Sequence, residues 1–404
     1  MRADLGLSDT QLGLILGATF AVSYSAAALV LIRWADSLPS RTLLLTGLVV
    51  WSAGTLVSGL AHSFTTLSAA RMIVGLGEAA LFPATIPLVS RLFPPQRRGF
   101  AISVLVVGSV AASGVALIVA GTLLQVFQSL RTAALLGIPE SNSWRLVLIV
   151  LGAPAILAAP LILLIPASSP GAGTVVAPVY AGEPHSAQSG QRSVLGFLLA
   201  GMTLWALVDY ALNAWLASDL MRTFNATPGQ IASQLGVAST IAGGVGPLLG
   251  GVLADWLLTT RIRSAKVLVC VLGASLTIPL TLLSLAPSMG GRIVLFCLFT
   301  FVTALVFTIA VTALQEVAPP SYRGRAMALQ GFLCTSVGMG VGPFAVARIS
   351  DYLAADGSRL SPALAAVSMP ALCVSALLFV LAWSRSAQIS PRYEERPVAA
   401  SNGM

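Results

Sequence analysis

An arginine and a glutamate lie inside a long apolar stretch of this sequence. The stretch Leu67–Pro94 is long enough to cross a bilayer as a helix, yet it contains Arg71 and Glu78. A charge at membrane depth costs about 2.5–3.5 kcal/mol, so such a residue faces a partner or a water-filled path. Seven residues at about 100° each place Arg71, Gly75 and Glu78 on one helix face, with the two charged groups about 10 Å apart.

Proton-coupled binding of an organic solute is the chemistry that this pair suggests. An anionic group that binds Arg71 competes with Glu78 for the guanidinium and favours protonation of the carboxylate. Arginine suits the role because its planar fork binds carboxylate or phosphate through two hydrogen bonds. The alternative is an ion pair between helices with only a structural role.

A second polar group lies within another apolar stretch. Asp209, Tyr210 and Asn213 occur in the middle of Val194–Leu220, with Asp209 and Asn213 one helical turn apart. Substrate sites of transporters built from two repeats lie near the bilayer midplane between the repeats. These residues are therefore candidates for the substrate and proton site, and a hydrogen-bonded packing contact between helices is the alternative.

The composition defines the elements that must position these residues. Of the 404 residues 56% are hydrophobic and only 9% are charged, far below the share of about 25% in soluble domains. Apolar stretches of about 20 residues recur along the chain, which predicts an all-α multi-pass membrane protein. The eleven predicted helices are Thr10–Ile32, Leu43–Ala61, Leu67–Leu92, Phe100–Val126, Trp144–Ile165, Val194–Leu220, Ile231–Leu257, Ala265–Pro287, Arg292–Ala318, Arg323–Ile349 and Ser361–Trp383.

The remaining reactive residues do not form a pattern typical of an enzyme. The four cysteines lie in apolar stretches without close spacing, and both histidines fall between predicted helices. Neither a metal site nor a hydrolytic triad can be drawn from them, and no phosphate-binding loop for ATP is present. We therefore expect no enzymatic activity, no metal, no cofactor and no nucleic-acid partner.

The distribution of basic residues predicts the orientation. Fourteen of the 22 Lys and Arg lie in loops or the tail at one end of the predicted helices, and five lie in the opposite loops. By the positive-inside rule the first set is cytoplasmic. We expect a monomer in the cell (inner) membrane, with the linker 166–192 and the tail 385–404 in the cytoplasm.

Two sequence elements recur on either side of that linker. Pro94–Gly99 recurs as Pro319–Gly324, and Ala35-Asp36 with Arg41 recurs as Ala254-Asp255 with Arg261. The repeats predict an N-terminal half, 1–165, and a C-terminal half, 193–384, as in secondary transporters. A counterpart of the helix Val194–Leu220 would lie before Met1, so we expect a first half without its first helix, from an upstream start or a truncation.

Several motifs resemble those of known transporters. Gly250–Leu257 with Arg261 and Arg263 resembles the loop signature of the major facilitator superfamily, whereas in the first half Ile32 replaces its glycine. Within that superfamily, Leu5–Gly13, Arg71–Ala80 and Phe93–Pro95 resemble the spinster-like transporters. The segment from Glu78 to Pro94 is also similar to the anion:cation symporters. The resemblance implies two six-helix halves and places Arg71 and Glu78 in a proton and substrate site.

The repeated loop elements suggest a gate at the cytoplasmic end. Charge-assisted contacts at helix ends would hold that side closed and release as the halves move. The candidate gating residues are Asp36, Arg41, Arg98, Asp255, Arg261 and Arg323. Membrane topology alone explains the arginines but not the aspartates. Arg91 and Glu316 occupy repeat-related positions, which suggests a contact across the halves.

Together these patterns predict a proton-coupled transporter of an amphipathic or anionic organic solute, such as a lysolipid or sphingoid-like molecule, that works by alternating access. An organic-acid or sugar-acid symporter is the nearest alternative. The repeated gate elements argue against a third function, that of a passive channel. A truncated membrane protein without transport activity stays open as a further alternative.

Overall fold

The fold is a bundle of long helices. A computed structural model describes residues 1–34, 39–129, 143–165, 189–259, 262, 264–319, 322–354 and 359–386, and all regular secondary structure in these ranges is helical. After one turn, Arg2–Leu5, come α1 (Asp9–Gly13, the π-helical Leu14–Ala18 and Thr19–Trp34), α2 (Ser40–Gly59), α3 (Phe64–Glu78 and Leu81–Leu92), α4 (Pro95–Ser129) and α5 (Ser143–Ile162). The second group comprises α6 (Ser189–Phe224), α7 (Pro228–Leu258), α8 (Ala265–Leu280, then the 3₁₀ segment Thr281–Leu285), α9 (Met289–Val317), α10 (Arg323–Leu333, the π-helical Cys334–Met339 and Gly340–Leu353) and α11 (Leu360–Ser386).

These helices confirm the prediction of an all-α multi-pass membrane protein. In the described ranges nine helices are long and apolar enough to cross a membrane, and Ala112–Phe127 and Ala265–Leu280 add two shorter apolar segments. Each of the eleven predicted helices corresponds to one of α1 to α11. We call α1 to α5 the first group and α6 to α11 the second group.

The helix that carries the candidate pair differs from the prediction of one continuous helix, Leu67–Leu92. It breaks at Ala79 and Ala80, directly after Glu78. Pro83 explains the break, because proline has no N–H for the carbonyl of Ala79 and its ring crowds that carbonyl. Glu78 therefore ends one helical segment instead of lying inside a regular helix.

The two groups meet along two glycine-lined seams. Along the first, α4 packs against α7: a Cβ built on Gly114 would lie 2.1 Å from Thr240 Oγ1, and one on Gly121 would lie 2.0 Å from Ala232 Cβ. Along the second, α1 packs against α10, where a Cβ on Gly13 would lie 2.7 Å from Ala347 Cβ. Larger side chains would force the groups apart, so glycine permits this close contact.

Both seams lie toward one end of the bundle. The contacts of α1 with α10 run from Asp9 to the hydrogen bond between the Ser25 and Ser336 hydroxyls, 2.6 Å long. On α4, a Cβ on Gly108 would meet no described atom within 4 Å. The groups are therefore joined at the end that holds Asp9, which we call the Asp9 end. Asp255 of α7 lies toward the opposite end.

Candidate functional site

Helix α3 is held close to both of its neighbours. Ser63 caps its start by accepting a hydrogen bond from the backbone N–H of Thr66 (3.2 Å). A Cβ on Gly75 would lie 2.3 Å from Ser23 Oγ of α1, and one on Gly77 would lie 2.3 Å from the backbone nitrogen of Trp51 of α2. The two glycines therefore fix α3 against both helices at the level of the candidate pair.

The guanidinium of Arg71 lies against an aromatic ring of α1. Its central carbon is 5.5 Å from the centre of the Phe20 ring, and Phe20 stacks on Tyr24 at 5.6 Å between ring centres. Such a cation–π contact stabilises an arginine by about 0.5–2 kcal/mol, depending on desolvation. The positive charge is thus held in place by a neutral ring.

Arg71 and Glu78 do not form a closed ion pair. Both side chains are half-buried, and they interact electrostatically along α3. Neither takes part in any of the ion pairs within 4 Å found among the described residues. In this structure the two charged groups are therefore farther apart than an ion pair requires.

The polar residues of α6 approach this pair from the second group. Tyr210 is half-buried and within electrostatic range of Asp209 on its own helix, of Glu78 on α3 and of Tyr24 on α1. Asn213 is exposed and donates through Nδ2 to the side-chain Oδ1 of Asp209 (3.1 Å) and to its backbone carbonyl (2.8 Å). Tyr210 thus lies within electrostatic range of Glu78 across the two groups, whereas the described contacts of Asp209 are with Asn213 and Tyr210 on its own helix.

Sequence reasoning missed Phe20 and Tyr24. Both lie on α1, one turn apart, on the face that meets α3. Their spacing was a visible signal, but aromatic residues at helical spacing also occur in ordinary packing, so the pattern alone did not single them out.

The described gating candidates make contacts within their own groups. Arg41 Nη1 donates to the carbonyl of Ile165 (3.1 Å) within the first group. Arg323 Nε donates to the carbonyl of Ala318 (3.3 Å) within the second group, and Asp255 is exposed on α7. Asp36, Arg261 and the side chain of Arg98 lie outside the described residues.

Glu316 pairs with Lys266 in the described structure. Its carboxylate accepts a hydrogen bond from Lys266 Nζ, and the side chain of Arg91, the expected partner, lies outside the described part of the chain. Lys266 and Glu316 lie where α8 begins and α9 ends, so the contact forms within the second group. Among the described residues, no cluster of three or more His, Cys, Asp or Glu could hold a metal ion.

Comparison with known proteins decides the family. Residues 1–343 match the family model of the Major Facilitator Superfamily. The chain belongs to this superfamily. It is therefore a multi-pass membrane transporter of small molecules and not an enzyme.

The most similar relatives include spinster proteins. An MFS-type efflux pump of Mycolicibacterium smegmatis is 28% identical over 95% of this chain and 86% of its own length. Protein spinster of Drosophila melanogaster is 26% identical over 87% of this chain and 57% of its own length. The mouse sphingosine-1-phosphate transporter SPNS2 is 25% identical over 87% of this chain and 65% of its own length. The chain spans less than two thirds of these last two relatives.

A solved structure has the same fold. A bacterial homolog of the human lysosomal transporter Spinster, in an inward-facing and occupied conformation, superposes with a TM-score of 0.74 and 22% identity over 96% of this chain and 90% of its own. The predicted major facilitator fold and the spinster-like resemblance are both confirmed.

Proposed function

We propose that this chain is a proton-coupled secondary active transporter that moves an amphipathic or anionic organic solute by alternating access. One observation carries the proposal. Arg71 and Glu78 are half-buried and remain unpaired with each other at the junction of two helix groups that are joined at one end. Charges in this position are accessible to a cargo and to a proton in turn.

The residues around the pair favour an amphipathic substrate. Tyr24 and Tyr210 are half-buried and offer apolar ring surface, and Arg71 offers a bidentate donor for a carboxylate or phosphate. Relatives of this chain include an efflux pump and a sphingosine-1-phosphate transporter. These features support a lysolipid or a sphingoid-like molecule with a charged head and an apolar tail.

An organic-acid or sugar-acid anion is the second candidate. It is favoured by the absence of a carboxylate within ion-pair distance of Arg71 among the described residues. A thermal-shift screen of lysolipids, sphingoid bases and sugar acids separates the two candidates. A ligand at 100 times its Kd stabilises the folded protein by about 2.7 kcal/mol, and the shift must disappear in Arg71→Ala.

The proposed orientation follows the distribution of positive charge. The Asp255 end, with the linker 166–192 and the tail 385–404, lies in the cytoplasm, and the Asp9 end lies outside. The joined seams would then close the outer side and leave the inner side open. The transporter acts as a monomer in the cell membrane.

Transport in proteoliposomes tests the proton role of Glu78. We expect wild-type protein to accumulate substrate when a pH gradient is imposed. Glu78→Gln should lose this accumulation and retain counterflow exchange, because the amide still fills the site but cannot release a proton. Glu316→Gln is the matched control, since it removes a carboxylate that is 49% exposed and lies in the Lys266 pair.

Two results would contradict the proposal. Uphill transport by Glu78→Gln with an unchanged dependence on the pH gradient would exclude Glu78 as the proton carrier. Voltage-driven flux of substrate that does not saturate would indicate a channel instead of a carrier.

A further inference from the structure

A buried carboxylate at the start of α1 binds side chains of the second group. Asp9 has 0% exposure. Arg222, at the end of α6, donates through Nη1 to Asp9 Oδ2 (2.7 Å) and through Nη2 to Oδ1 (2.8 Å). The Ser350 hydroxyl of α10 also donates to Oδ2 (3.2 Å), and Arg2 Nε lies 3.2 Å from Oδ1. A bidentate arginine pair of this kind fixes both orientation and distance between the helices.

The second group also caps α1 through its backbone. The carboxylate of Asp351, near the end of α10, accepts hydrogen bonds from the backbone N–H groups of Asp9 (3.2 Å) and Thr10 (2.7 Å). These N–H groups have no partner inside their own helix, and the helix dipole favours a negative charge there. The first turn of α1 is thus bound to α6 and α10 in two ways: the Asp9 carboxylate accepts hydrogen bonds, and the backbone N–H groups of Asp9 and Thr10 donate them.

The other described ion pairs at this end stay within one group. Arg145 of α5 donates to Asp4 (2.9 Å) inside the first group. Arg292 of α9 pairs with Asp219 of α6 inside the second group. The contact between Asp9 and Arg222 differs because it joins the two groups at the Asp9 end.

We propose that Asp9 and Arg222 form the lock of the gate at the Asp9 end, and that the pair must separate each time this end opens. The inference rests on the alternating access proposed above. Opening would transfer the buried carboxylate and the guanidinium to water, and their hydration offsets much of the lost contact. That compensation makes the lock reversible while the closed state stays well defined.

Cysteine accessibility tests the lock without substrate or a proton gradient. Leu12 has 8% exposure and packs into the core of the second group, so Leu12→Cys is accessible only when the seam opens. The experiment uses the full chain in nanodiscs, with the four native cysteines replaced by serine, and measures the rate of maleimide labelling. The test variants are Asp9→Asn and Arg222→Gln. The control is Asp4→Asn, which removes the ion pair with Arg145 at the same end of the bundle but within the first group.

We expect Asp9→Asn and Arg222→Gln each to raise the labelling rate by about tenfold or more, because removing one partner of a buried charge pair strongly destabilises the closed state. Asp4→Asn should stay within about twofold of the parent, because the ion pair between Asp4 and Arg145 lies inside one group and is kept whether the seam is closed or open. If Asp9→Asn does not yield monodisperse protein, the test uses two other single variants. These are Arg222→Gln, and Ser350→Ala, which deletes only the hydrogen bond from the Ser350 hydroxyl to Asp9.

Unchanged labelling in folded Arg222→Gln would overturn the lock. An equal rise in Asp4→Asn would overturn it as well, because the cause would then be local unfolding of the whole end. Failure of the proposed function is a separate result: it would appear as absent proton-driven transport while the labelling differences remain.

Discussion

Replacing Gly114 by alanine tests whether the seam between α4 and α7 holds the Asp9 end closed. The added Cβ would lie 2.1 Å from Thr240 Oγ1 and 2.7 Å from the carbonyl oxygen of Gly236. Carbon atoms in favourable contact lie about 3.5–4.0 Å apart. The hydroxyl of Thr240 can rotate away, but the backbone carbonyl of Gly236 cannot, so the helices themselves must separate.

The expected magnitude follows from the cost of overpacking. Inserting a methyl group into a well-packed contact costs about 1–3 kcal/mol. Under the proposed mechanism the seam exists only while the Asp9 end is closed, so the cost falls on that state alone. The ratio of open to closed molecules should therefore rise by about 5-fold to 150-fold. Gly108→Ala is the matched control on the same helix, because its Cβ would meet no described atom within 4 Å.

Spin-label distances in nanodiscs provide the assay. Val119 of α4 and Val237 of α7 are 39% and 49% exposed and accept labels without entering the seam. Gly114→Ala should add a population with a longer distance, and Gly108→Ala should retain the parent distribution. The reasoning is refuted if Gly114→Ala leaves the distances unchanged, or if both variants lengthen them equally.

Two further predictions concern stability, measured as the melting temperature in detergent. Trp215→Phe should lose about 1–3 kcal/mol, because it removes the donor to the Pro343 carbonyl (2.9 Å) and leaves that carbonyl buried. Trp205→Phe should cost less, since its buried Nε1 has no hydrogen-bond partner in the described structure, and equal losses would contradict the role of the hydrogen bond. Asp219→Asn should destabilise by about 3–5 kcal/mol, because the carboxylate is 1% exposed and its removal strands a buried guanidinium. Asp255→Asn, which changes an exposed carboxylate that takes part in none of the ion pairs of the described residues, should cost at most about 0.5 kcal/mol. A larger loss in Asp255→Asn than in Asp219→Asn would show that burial does not set these energies.

The membrane helices could be predicted from the sequence because their length is fixed by the bilayer. A spanning helix satisfies its backbone hydrogen bonds within one segment, so an apolar stretch of sufficient length is enough to predict the helix. The break after Glu78 also has a local cause. Pro83 lies four residues after Ala79 and has no N–H to donate to the Ala79 carbonyl. It was missed because hydropathy continues without interruption across the break.

The environment of the candidate pair depended on helices distant in sequence. Arg71 and Glu78 could be placed on one face by helical geometry. The aromatic partner Phe20 lies on α1, and Tyr210 approaches from the second group. Periodicity describes which residues share a face of one helix, but it does not specify which face of another helix will meet them.

The sequence by itself determined that this chain is an all-α multi-pass membrane protein with eleven long apolar segments, that two of its elements repeat, and that Arg71 and Glu78 share a helix face. The tertiary structure decided which end of the bundle is joined, and it brought Asp9 to Arg222, 213 positions away. The physical reason is that hydropathy and helical period act over about 20 residues. The seam instead depends on the packing of two helix groups against each other at their glycines.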